Sequence, residues 1–76
     1  MQEFKINLST IQNVKEFVNT VSRFDFDVDL VSGRYSVDAK SIMGIFSLEL
    51  SKPLTMRIMS TDCDEFISLI QKFIVE

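Results

Sequence analysis

The sequence predicts an α+β fold, a two-layer open-faced sandwich in which helices cover one face of a four-stranded antiparallel sheet. Three observations lead there. Four short segments alternate apolar and polar side chains with the period of a half-buried strand. Two longer segments carry apolar residues at helical spacing. The segments follow one another as β-α-β-β-α-β-α, with a short helix as the second of three. Strands with one polar face need cover on the other face only, so helices packed on a single side would bury every apolar stripe. The 76 residues, with 46% apolar content and seven phenylalanines, suffice for one domain spanning residues 1–76 with a core of its own, and no second domain fits.

Each element has its own signal. From Glu3 to Leu8 the residues Phe4, Ile6 and Leu8 alternate with Lys5 and Asn7, the pattern of a strand. Ser9 and Gln12, three apart, suit a capping box, and Ile11, Val14, Phe17, Val18 and Val21 then form a helical stripe ending near Ser22. Phe24, Phe26, Val28 and Leu30 alternate with Asp25, Asp27 and Asp29. Ser32-Gly33 turns the chain into Tyr35, Val37 and Ala39, which completes a hairpin. Ser41 stands before Ile42, Ile45 and Phe46 at one-turn spacing, so it is the expected N-cap of a short helix interrupted by Gly44. Pro53 marks the break before a strand with Leu54, Met56 and Ile58 inward and Thr55, Arg57 and Met59 outward. The final helix is expected to begin at Thr61 or Asp62, with Glu65 three beyond the aspartate, and to bury Phe66, Ile67, Ile70, Phe73 and Ile74.

Composition excludes several functions. The net charge is −3 and the lysines and arginines are scattered among acids, so no basic stripe points to nucleic acid. No run approaches the roughly 18 apolar residues of a membrane span. Met1 leads into Gln2-Glu3-Phe4-Lys5 without a signal-like apolar run, and the single Cys63 cannot form an internal disulfide. These features read as cytoplasmic. Cys63 is a small filler or a helix-start residue; with no histidine in the chain, nothing of that kind activates it. Asp25, Asp27 and Asp29 have a D-x-D-x-D spacing that invites a calcium reading. It fails because Leu30 stands where the loop needs glycine and Ser36 where it needs the closing glutamate. On a strand the three acids would share one solvated face. No metal and no cofactor is expected. An enzyme acting on a small molecule would need a histidine, a cysteine pair, a glycine-rich loop or paired acids in an apolar setting, and the chain offers none of these.

The stretch Lys40-Ser41-Ile42-Met43-Gly44, with Asp27-Val28-Asp29-Leu30 before it and Ser47-Leu48 after it, resembles the regulatory-serine segment of the HPr family, the bacterial phosphocarriers of the sugar phosphotransferase system. The element order is also similar to that family's, which implies a sheet order of 1-4-2-3. Counting back without gaps puts Thr10-Ile11-Gln12-Asn13 where the family's His-Ala-Arg-Pro belongs, and the first loop is about three residues shorter when the first strand is anchored. Histidine, arginine and proline are thus all replaced. A phosphoimidazole retains a high transfer potential, whereas a phosphate on Ser9 or Thr10 would be a stable ester and stop a relay. Gln12 brings no guanidinium fork for a phosphate.

The resemblance therefore implies an HPr-like protein that regulates or binds rather than carries. Ser41 is its candidate phosphorylation site: a phosphate adds about −1.5 to −2 charge and is tolerated at the positive end of a helix. Ile42, Met43, Phe46 and Leu48 exceed what a short helix can turn inward, so some reach solvent. Ile42, Met43, Phe46 and Ser47 form the candidate partner surface, with Met43 the more exposed and Phe46, one turn from Ile42, expected nearer the core. The implied partner is a protein: a phosphotransferase-system component, an HPr-type kinase or a transcriptional regulator. A scaffold domain of the same ancestry, unphosphorylated and using the exposed sheet face, is the alternative.

Overall fold

In the computed structural model, which describes residues 2–75, the elements are β1 (Gln2–Ile6), α1 (Ile11–Val21), β2 (Val28–Ser32), β3 (Tyr35–Asp38), α2 (Ile42–Phe46), β4 (Leu54–Ile58) and α3 (Asp64–Leu69). A 3-10 turn at Gln71–Phe73 follows α3. The strands form one antiparallel sheet in the order β1-β4-β2-β3, with the helices on one side. This is the predicted open-faced sandwich, in the strand order that the resemblance implies.

Register determines what the sheet offers to the helices. Phe4 stands opposite Met56, Ile6 opposite Leu54, Val28 opposite Ile58 and Leu30 opposite Met56. Successive side chains point to opposite faces, so all of these share one. Ile6, Val28, Leu30, Leu54, Met56 and Ile58 are fully buried there. Val14, Phe17 and Val21 from α1, Ile45 from α2 and Phe66 from α3 complete the core. The rings of Phe17 and Phe73 meet edge to face, with centroids 6.1 Å apart. The other sheet face carries Glu3, Arg57, Asp29 and Asp38 at successive register positions across the four strands. The Arg57 Nε donates to Glu3 at 2.9 Å, and both side chains are too exposed for the pair to contribute much stability.

Two connections set the frame. Gly33 has φ +59° in the two-residue link between Ser32 and Tyr35, the left-handed conformation that a hairpin turn with glycine at its first central position requires. At the far edge, the chain after α3 returns to β1. Ile74 bridges Ile6, the Asn7 N–H donates to the Phe73 carbonyl at 2.9 Å, and the Val75 N–H donates to the Lys5 carbonyl at 2.9 Å.

The structure differs from the sequence reading in several places. The first strand ends at Ile6, because β4 begins opposite it at Leu54 and the next N–H turns to Phe73. Leu8 is nevertheless buried. Helix α1 is capped by Thr10, whose Oγ1 accepts from the Asn13 N–H at 3.0 Å, so the expected pair of Ser9 and Gln12 is displaced by one residue. Strand β2 begins at Val28. Phe24 and Phe26 lie in the connection before it, where their rings stack on each other at 5.4 Å and meet Phe66 edge-on at 5.3 and 5.6 Å. Asp25 and Asp27 therefore share no strand face with Asp29, and β2 is an interior strand that needs no edge protection. The last helix starts at Asp64, with Cys63 before it and no side-chain cap, then tightens into the 3-10 turn, leaving Ile67 and Ile74 only half-buried.

Replacing Phe17 by alanine removes a fully buried ring that also supports Phe73, so denaturant unfolding should show a loss of about 3–5 kcal/mol. Gly33→Ala meets no atom within 4 Å, so its loss, about 1 kcal/mol, should come from backbone conformation alone. A neutral Gly33→Ala would refute the turn assignment.

Candidate functional site

The segment from Asp38 to Leu48 is built from local hydrogen bonds. The Asp38 carboxylate accepts from the Lys40 N–H at 2.9 Å, and the Asp38 carbonyl accepts from the Ser41 N–H at 3.0 Å, so the chain leaves β3 in a tight turn. Ser41 is extended, with φ −104° and ψ 102°, and its Oγ accepts from the Gly44 N–H at 3.2 Å. It is the N-cap of α2, and its side chain is exposed. At the other end the Ser47 hydroxyl donates to the Gly44 carbonyl at 2.6 Å, and the Leu48 N–H donates to the Ile45 carbonyl at 3.0 Å.

Gly44 lets this short helix lie close to the sheet. A Cβ at that position would sit 3.2 Å from Ser41 Oγ and 3.3 Å from the Val37 Cβ of β3. The glycine read from sequence as an interruption is a point of close approach.

The helix sorts its apolar residues into two stripes. Ile45 is fully buried, Leu48 nearly so, and Ile42 is half-buried against the core. Met43 and Phe46, three apart and on the other stripe, are 77% and 39% exposed. Met43 is thus the more exposed of the pair. Two expectations need correction. Ile42 contributes to the core more than to a free surface, and Phe46 faces outward although it lies one turn from Ile42. Ser47 is exposed and engaged as the helix C-cap.

Thr10 to Asn13 make the cap and first turn of α1. Thr10 is the N-cap with φ −124° and ψ 158°, and Asn13 supplies the N–H that Thr10 accepts. A proline in the place of Asn13 would have no N–H to give; here the hydroxyl at position 10 and the amide at position 13 satisfy each other. Gln12 is exposed. Ile11 is 64% exposed, which the helical stripe did not reveal, because as the first residue of α1 it projects before the helix has settled over the sheet. Helices α1 and α2 pack against one another, so the two N-terminal regions belong to one side of the molecule.

Lys40 opens the Lys40-Ser41-Ile42-Met43-Gly44 stretch, where pattern alone assigns it no role. Its side chain is half-buried, and its Nζ donates to the Phe24 carbonyl at 2.8 Å, just past the end of α1. The remaining reactive group, Cys63, is buried at the start of α3, and the Gln2 amide donates to its sulfur at 3.0 Å. Burial first, and then the neighbouring Asp64 and Asp62 carboxylates, raise the thiol's pKa, the opposite of what a nucleophile needs. Along the outer side of α1, Gln12, Lys15, Glu16, Asn19 and Thr20, with Arg23 just past its end, line a shallow depression. No helix among the described residues is long and apolar enough to cross a membrane.

Comparison with known proteins agrees with this geometry. Residues 11–75 match the family described as the PTS HPr component phosphorylation site. Among solved structures, the chain is similar to HPr-C-His from Thermoanaerobacter tengcongensis, with 28% identity and a TM-score of 0.78 over 95% of this chain and 89% of that one. A phosphocarrier protein HPr from Bacillus anthracis has 23% identity and a TM-score of 0.72 over 97% of this chain and 94% of that one. A histidine-containing phosphocarrier protein from a Mycoplasma has the same TM-score, 0.72, at 16% identity over 93% of this chain and 86% of that one. The last two likenesses concern the fold alone. The family match spans most of the chain and takes in both the start of α1 and the whole of α2: this protein belongs to the HPr family of the phosphotransferase system.

Proposed function

We propose that this chain is a non-catalytic HPr-like regulator that binds a protein partner through the surface from Ser41 to Leu48 and relays no phosphoryl group. One observation carries the reading. Residues 11–75 match a family named for a phosphorylation site, yet the chain has no histidine, and Thr10, which a gap-free count sets against the family's histidine, is a helix cap. A phosphate on Thr10 Oγ1 would be an ester with low transfer potential and would compete with the cap.

The geometry of α2 supports the partner surface. Met43 and Phe46 expose apolar area on the stripe that the core does not use, beside an exposed Ser41 and Ser47. A flexible thioether next to an aromatic ring suits adaptable contacts. Ser41 also supports a switch. A kinase would form the Oγ–P bond as the terminal phosphoryl group leaves its nucleotide, with the hydroxyl proton passing to a base. The new dianion would stand at the exposed start of α2, where helix N–H groups favour negative charge, so the surface would change character without unfolding. The partner would be a phosphotransferase-system component, an HPr-type kinase or a transcriptional regulator.

Incubation with labelled phosphoenolpyruvate and enzyme I should leave no acid-labile phosphate on the protein. Stoichiometric labelling would overturn the non-carrier reading.

An HPr-type kinase should modify Ser41 and spare Ser47, whose hydroxyl is committed to the Gly44 carbonyl. Mass spectrometry locates the phosphate, and modification at Ser47 alone, or none, would leave Ser41 as a cap only.

Charging the outward stripe should separate docking from folding. Met43→Lys should change stability by under about 0.5 kcal/mol, as surface substitutions do. Phe46→Lys removes more contact and should cost about 1 kcal/mol. Both should sharply reduce capture of the partner, because an ammonium cannot be buried unpaired in an apolar contact. Denaturant unfolding beside a pull-down with wild-type and Ser41→Asp protein measures both effects. Undiminished capture by both lysine variants would move the docking surface elsewhere, with the open sheet face as the next candidate.

A further inference from the structure

We propose that Lys40 is a latch holding the connection between α1 and β2 in place, and that phosphorylation of Ser41 releases it. The inference rests on the reading of Ser41 as a modified residue, and it assigns that modification a second consequence away from α2.

The latch is visible in the hydrogen bonds. A lysine head ordinarily extends into water along its apolar stem. The Lys40 Nζ instead spans to the Phe24 carbonyl at 2.8 Å, from a half-buried side chain. Its backbone is aimed by the Asp38 turn, which holds the N–H groups of both Lys40 and Ser41. The acceptor lies just beyond α1, where the Arg23 N–H donates to the Thr20 carbonyl and the Phe24 N–H to the Val21 carbonyl. The last turn of α1 has no basic residue of its own, so Lys40 supplies positive charge near the negative end of that helix from another part of the chain.

What the latch secures is the aromatic cluster. Phe24 and Phe26 stack on each other and both meet Phe66 of α3, yet the segment between them and β2 belongs to no helix or strand. The next backbone tie is the Met59 N–H donating to the Asp27 carbonyl at 2.9 Å. Segments held by few such bonds open before the rest of a fold does.

A phosphate on Ser41 would compete directly for the ammonium. Consecutive Cα atoms are about 3.8 Å apart, well within the reach of a lysine stem. Both bonds are charge-assisted by the ammonium, but only the phosphate adds an opposite formal charge, and the neutral Phe24 carbonyl cannot match that Coulomb attraction. The ammonium moves to the phosphate, the Phe24 carbonyl is left to water, and the connection bearing Phe24 and Phe26 loosens.

The test uses chemically synthesised protein with phosphoserine at position 41, so it requires no kinase. Amide hydrogen exchange is followed at Phe24 and Met59, whose N–H groups close the connection at each end, with Leu30 as the core reference. Phosphoserine should speed exchange at Phe24 and Met59 by about tenfold, the scale of one lost hydrogen bond, and leave Leu30 unchanged. Lys40→Met should produce the same acceleration without phosphate, and phosphoserine should then add nothing further. Unchanged rates at Phe24 and Met59 on phosphorylation would overturn the latch. So would a phosphoserine effect that persists in full in Lys40→Met, or a Lys40→Met variant that accelerates Leu30 equally and thereby reports global opening. A kinase that ignores Ser41 would instead defeat the reading of its modification and leave these rates as they are.

Discussion

Strand β4 lies between β1 and β2, and its inward side chains Leu54, Met56 and Ile58 are fully shielded from solvent. This position ties the two halves of the chain together. The second half inserts its only strand among the described residues into the sheet begun by the first, and the helices then have one continuous apolar floor. The placement of α2 follows from it. The chain must travel from the outer strand β3 back to the interior, and it does so over the sheet, with Ile45 and Leu48 turned down and Gly44 allowing close passage over Val37. A helix of this kind has little surface to spare, so Met43 and Phe46 are left outside as a consequence of geometry.

Much of this was legible in the sequence because the signals are local. Alternation in Leu54 to Ile58 and the stripe of Val14, Phe17 and Val21 give strand and helix without knowledge of the rest. The cap at Ser41 was equally clear, since a serine before a short apolar run has few other roles. Phe24 and Phe26 were misread because alternation records only which side a residue faces. A loop that lays two rings on Phe66 produces the same spacing as a strand. The outline of α2 was legible, and its division into inward and outward residues was less so. Ile42 and Phe46 are separated by one turn, and only the direction from which β3 approaches decides which of them is covered. Ile11 was hidden for a similar reason, since helical periodicity is blind to where a helix overhangs its sheet. Lys40 could not have been found from pattern, because its partner is a backbone carbonyl sixteen positions away.

The start of α1 is held by its cap. Capping requires an oxygen at the N-cap and free N–H groups in the first turn, and Thr10 with Asn13 meets both needs without an imidazole or a guanidinium. At α2, Ser41 is at once the cap and an exposed hydroxyl, so any change there acts on fold and surface together.

The return of the last residues to β1 has a consequence for how the protein is made. The bridge from Ile6 to Ile74 and the bond from the Val75 N–H to the Lys5 carbonyl join residues from opposite ends of the chain, and β1 itself waits for β4 before it has a neighbour in the sheet. A ribosome that has delivered only the hairpin of β2 and β3 has delivered no finished sheet. The first strand has no partner in the sheet until β4 has emerged, so its pairing waits on closing the long loop between them.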